Sequence, residues 1–128
     1  MHADGLPQEW ELRQNDPNPF CGATAVDFTV LEQADVGLYV WSPDSSNVVR
    51  TLVEALLPVG YHRVIWDQLD DYGIAVPDGD YPYQLLALDP ETAGVLFEAW
   101  LVATVECDPT ATANESWGRV KRDYRVER

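Results

Sequence analysis

The chain has 128 residues, with 22 acidic and 8 basic side chains and a formal net charge of −14. That length suits one domain with a core that needs no metal or disulfide staple, and the 46% hydrophobic content excludes a disordered chain. The acidity argues against a nucleic-acid binder, whose phosphate contacts need a basic surface, and no apolar run is long enough for a transmembrane helix.

Met1 to Pro7 has no charged segment followed by an apolar one, the pattern of a secretory leader. The expected location is extracellular or periplasmic if a leader has been removed, and cytoplasmic otherwise. Thr24 to Val30 alternates Val26, Phe28 and Val30 with Asp27 and Thr29, as a half-buried strand does. Val36 to Trp41 follows with Val36, Leu38 and Val40 on one face and Tyr39 and Trp41 on the other. Ser42 to Asn47 is a turn by composition, and Val48 to Val53 returns as a strand. Thr51 to Leu57 is the one stretch that suits a short helical turn, ended by Pro58 and Gly60. Tyr61 to Trp66 is a strand with large residues on both faces.

Asp67 to Gly73 and Val76 to Gly79 are turns. Asp80 to Leu88 is a strand with Tyr81, Tyr83 and Leu85 on one face, and Pro82 marks an edge or bulge in it. Asp89 to Gly94 is a hairpin loop, and Val95 to Val105 is the last strand. If its Phe97, Ala99 and Leu101 face inward, Leu96, Trp100 and Val102 face outward. Cys107 to Ser116 reads as a linker. The organisation is therefore an N-terminal arm (1–11), a domain (12–106), and a linker with a basic tail (107–128). About seven short strands punctuated by Pro, Gly and Asp predict an all-β antiparallel sandwich with a C-terminal extension.

The charge is uneven. Residues 1–118 hold three basic and twenty acidic side chains, a net −17, whereas residues 119–128 carry +3. The tail's Arg119, Lys121, Arg122 and Arg125, with Trp117 and Tyr124 as aromatic anchors, suit docking on an acidic surface. The outward aromatics Tyr39, Trp41 and Trp100 suit a protein interface, since a monomer rarely leaves such a patch bare.

Catalytic patterns are missing. There is no G-x-S-x-G, no H-E-x-x-H and no phosphate loop, and His62 reads as a packed core residue. Asp67, Asp70 and Asp71 are candidate calcium ligands, although their spacing is not that of an EF-hand and turn-stabilising aspartates behave alike. No cofactor is expected. Cys21 and Cys107 allow one disulfide or two free thiols, and a bridge would stabilise by roughly 4 kcal/mol through loop closure.

Three stretches in order, Leu12 to Phe20 (LRQNDPNPF), Gly60 to Asp67 (GYHRVIWD) and Asp70 to Tyr83 (DDYGIAVPDGDYPY), resemble the immunoglobulin-like domain named after the flagellar hook-capping protein. Related domains close many secreted bacterial proteins, including sorting domains of type IX secretion. The resemblance implies an immunoglobulin-like sandwich with Trp66 at its centre, and turns held by Asp67, Asp70 and Asp78. It also sets Cys21 before the first core strand and Cys107 after the last, both at one end, where a disulfide is geometrically conceivable. Three departures stand out. Cys21 replaces a common Asn, Gln68 replaces a common Gly, and a basic tail follows the last strand. The function expected is that of a non-catalytic structural or accessory subunit that binds other protein subunits, homo-oligomers included. Membrane contact is expected only through a partner. The alternatives are a secreted sorting or anchoring domain, or a carbohydrate- or calcium-binding module.

Overall fold

The computed structural model describes residues 7–107. Seven strands run in chain order: β1 (Glu11–Leu12), β2 (Thr24–Val30), β3 (Ala34–Trp41), β4 (Val48–Leu57), β5 (Gly60–Trp66), β6 (Gly79–Leu88) and β7 (Val95–Val105). They make two antiparallel sheets, β1-β2-β5 and β4-β3-β6-β7. No helix occurs among the described residues. The all-β sandwich expected from the turn punctuation is the observed architecture.

Alternation builds the core. Val26, Phe28 and Val30 of β2 face Val36, Leu38 and Val40 of β3 and Tyr81, Tyr83, Leu85 and Ala87 of β6, and all are buried. Each large apolar side chain removed from water contributes about 1.5–3 kcal/mol before chain entropy is counted. Trp66 is buried among them, its ring 5.4 Å from Phe20 and 5.7 Å from Tyr81. Its indole N–H donates to the Leu69 carbonyl at 3.0 Å. The Tyr81 hydroxyl donates to the Pro77 carbonyl four residues upstream at 2.7 Å. A tyrosine hydroxyl bonded back to the backbone a few residues upstream has the geometry of a tyrosine corner.

The two long sides of the sandwich differ. On the β1/β7 side, the segment between β1 and β2 straps across to β7. The Phe20 N–H donates to the Thr104 carbonyl, and the Glu106 N–H donates to the Phe20 carbonyl, both at 2.9 Å. The Gln14 amide donates to the Val102 carbonyl at 2.6 Å. The Asp16–Pro17 and Asn18–Pro19 peptides within the strap are cis. Asn15, 2% exposed, sits beneath it, and its amide donates to the Pro17 carbonyl and to the Thr24 hydroxyl oxygen. On the other side β4 and β5 each end their sheet, because the chain crosses from one sheet to the other between them.

Three expectations need correction. Thr51 to Leu57 is not a helical turn. It continues β4, pairing from Leu38↔Val53 to Ala34↔Leu57, because β3 offers a partner along its whole length. A register shift between Leu38 and Tyr39 absorbs Leu52 as the extra residue. Pro82 keeps the edge position expected of it: β3 pairing stops at Val40↔Tyr83, so Pro82 has a partner strand on one side only and its missing N–H costs no ladder bond on the other. Leu96 is half-buried against the core, because a register shift at Ala87/Leu88 turns the start of β7. Asp78 does not hold its own turn; its carboxylate accepts from the Cys107 N–H at 3.0 Å. Trp10, just before β1, stacks on Phe97 at 5.7 Å.

Candidate interaction surface

Strand pleating puts Tyr39 and Trp41 of β3 on the outer face of the four-stranded sheet, as the alternation predicts. Cross-strand register then fixes their neighbours. Tyr39 pairs with Gln84, Gln84 with Trp100, and Pro82 with Val102. The Trp41 and Trp100 rings lie 5.7 Å apart with planes inclined at 43°. Polar groups between them hold both. The Trp41 indole N–H donates to Gln84 Oε1 at 3.2 Å, and the Gln84 amide donates to Glu98 Oε2 at 2.7 Å. The Trp100 indole N–H donates to the same Glu98 oxygen at 3.1 Å. Trp100 and Val102 remain 46% and 44% exposed. The result is an apolar patch whose large rings are already fixed, so little side-chain entropy is lost when a partner covers it.

Tyr39 lies back over Gly37, where an added Cβ would collide with the phenol ring. Its hydroxyl donates to Glu54 Oε2 at 3.1 Å. Partial burial and that carboxylate both push the phenol's pKa up. Gln84 and Glu98 were not singled out from sequence. Their signal was present, since polar residues on the outward parity of two paired strands fall between two tryptophans once the register is known.

The other sequence candidates lie apart from this face. Cys21 and Cys107 form a disulfide with Cα atoms 4.9 Å apart. The bridge sits at the strapped side, where residue 107 leaves β7. Gln68 is beside it. This residue has a left-handed backbone (φ 67°), which explains why glycine suits the position. Its side chain offsets that cost. Oε1 accepts from the Gly22 N–H at 2.7 Å and Nε2 donates to the Val76 carbonyl at 2.9 Å. Positions 21 and 68, both of which depart from the resembled pattern, thus meet at one junction.

The three candidate calcium ligands turn to separate tasks. Asp67 Oδ1 accepts from Arg50 Nη1 at 2.8 Å and from the Leu69 N–H. Asp70 Oδ1 accepts from the N–H groups of Tyr72 and Ile74, both at 2.9 Å. Asp71 Oδ1 accepts from the Thr51 N–H at 3.0 Å. Among the described residues no three His, Cys, Asp or Glu side chains are grouped to hold a metal ion. His62 faces inward, half-buried, stacked on Phe28 at 5.4 Å, with a ring nitrogen 3.0 Å from the Pro58 carbonyl oxygen. On the opposite outer face Arg63 makes two hydrogen bonds to Asp27, at 2.7 and 3.0 Å, and lowers that carboxyl's pKa. Trp117, Arg119, Lys121, Arg122, Tyr124 and Arg125 lie outside the described residues.

The fold is similar to that of a domain of the outer membrane lipoprotein Omp28 from Porphyromonas gingivalis. The TM-score is 0.50 at 11% identity, over 70% of this chain and 91% of that one. No family model and no curated protein sequence matches the chain. At that identity the likeness speaks for the shared β-rich fold alone.

Proposed function

We propose that this protein is a non-catalytic structural or accessory subunit that binds other proteins through the outer face of its four-stranded sheet and its basic tail. The observation that carries the reading is the pinned Trp41/Trp100 patch, with Trp100 and Val102 exposed beside it. Rigid aromatic anchors ringed by polar groups are what interface hot spots are made of. The tail's positive charge opposes the acidic body and gives a second contact of complementary sign.

We assign the sandwich to the immunoglobulin-like type of the flagellar hook-capping protein. Phe20, Trp66 and Tyr81 of the three motif stretches meet in one aromatic cluster, which supports the assignment. A disulfide closing a long loop suits an oxidising compartment, extracellular or periplasmic. A secreted anchoring domain is the second reading, and the bridge favours it. A sugar-binding role gains less, because the polar atoms beside the tryptophans are already bonded to one another.

The test is co-purification from the native source with the wild-type chain and with the Trp41→Ala/Trp100→Ala double variant. The double variant is expected to keep its melting temperature within a few degrees and to lose at least tenfold of the bound partner. Equal partner recovery with both chains would remove the sheet face from the account.

A further inference from the structure

We propose that the open side of the sandwich takes an added strand along β4, and that the strand is residues 119–127 of a second copy of this chain. The inference rests on the reading of the tail as a docking element and names what it docks on.

The acceptor is visible in the sheet. Asp71 closes the first part of the β4 edge, since its N–H donates to the Val49 carbonyl at 2.9 Å and its carboxylate accepts from the Thr51 N–H. From Leu52 to Leu57 no described segment other than β3 bonds the β4 backbone. Side chains report the same gap. Ala55 pairs with Val36, which is 2% exposed, so Ala55 faces the core; yet it is exposed. Leu52, Val53 and Leu57 touch the core and stay half-exposed. Core-facing residues open to water mark a row that one more strand would cover.

The tail has the pattern of such a strand. Val120, Tyr124 and Val126 fall on one parity, and Arg119, Lys121, Asp123, Arg125 and Glu127 on the other. Arg122 shares the apolar parity and can lay its methylene stem there with its head at the rim. The polar parity would lie on the outer face, beside Glu54 and the exposed Asp35. Charge also favours β4 over the other bare edge, since on the outer face beside β5 Arg63 and Asp27 neutralise each other.

Reach favours a second copy. Every pairing between the described strands is antiparallel. Antiparallel addition to β4 must begin opposite Leu57. Residue 107 lies level with the start of β6, at the other end of the sandwich. About twelve residue levels along the strands and four strand spacings across separate the two points, or about 44 Å in a straight line through the body. The chain from residue 107 to residue 119 spans at most about 43 Å fully extended. A path over the surface is longer, so antiparallel pairing that starts at residue 119 lies at the limit of the tail's reach on its own body, whereas a second copy meets no such limit.

The test measures oligomeric state by light scattering, and amide exchange at residues 52–57, on the full disulfide-bonded chain. Two variants accompany it: deletion of residues 117–128, and Ala55→Lys, which puts a charge in the open row at an exposed position. The full chain is expected to associate as concentration rises, with the 52–57 amides protected. Both variants are expected to stay folded, to associate at least tenfold more weakly and to lose the protection. A full chain that stays monomeric would overturn the proposal, whether its 52–57 amides exchange freely or are protected by its own tail. Association that Ala55→Lys leaves unchanged would also overturn it. If the full chain is monomeric but the native partner is still lost on Trp41→Ala/Trp100→Ala, the proposed function stands and the tail inference alone fails.

Discussion

Tyr83 serves two backbone groups at once. Its hydroxyl donates to the Arg13 carbonyl and accepts from the Asn15 N–H, both at 2.8 Å, which ties the strap to the centre of β6. Tyr83→Phe keeps the ring and strands both groups, so a loss of about 1–3 kcal/mol is expected in urea unfolding. Burial pushes the phenol's pKa up to about 12 from its ordinary 10.0. The sign follows. Below pH 10 the phenol is neutral in both states and its contribution is whole. Between 10 and about 12 the unfolded chain releases the proton and the folded one does not, so stability falls as pH rises. The wild type should lose stability across that window, and Tyr83→Phe should lose less. Gln68 gives a second residue-scale test. Gln68→Ala and Gln68→Gly both remove the bonds to Gly22 and Val76, but only alanine keeps the left-handed strain. The glycine variant should be the more stable of the two by about 1 kcal/mol.

At the scale of elements, the strands were legible because their apolar residues alternate. β2 and β7 have the expected bounds, and β3 and β6 bury the expected faces. The end of β4 was not legible. Leu52, Val53, Leu56 and Leu57 fit a helical stripe as well as they fit a strand with one bulge, and only the β3 edge decides between them. Asp78 was misread for a related reason. Its carboxylate looks local in sequence, but its partner, Cys107, is brought beside it by the β6/β7 pairing. The same pairing sets the bridge. The cysteines are 86 residues apart, so reduction, or Cys21→Ser with Cys107→Ser, should cost about 4–5 kcal/mol in the chain-entropy model, read from denaturant midpoints. A loss below about 1 kcal/mol would mean that the strap, with its bonds to Thr104 and Glu106, holds this side without the bridge.

For the whole molecule, the charge split is read from the residues directly. The tail is +3 against a body of −17. The aromatic face was half legible, because outward parity named Tyr39, Trp41 and Trp100 while the Gln84/Glu98 bonds that hold them needed the register. The fold separates a strapped, disulfide-closed side from an open one and adds a broad face between them. In the proposed function a protein partner covers the Trp41/Trp100 face. Oxidative footprinting of the native complex against the free chain measures it directly. Labelling of Trp100, the more exposed ring, should fall at least fivefold in the complex while exposed Tyr72, in the turn after β5, is labelled as before. Equal labelling of Trp100 in both states would contradict the account.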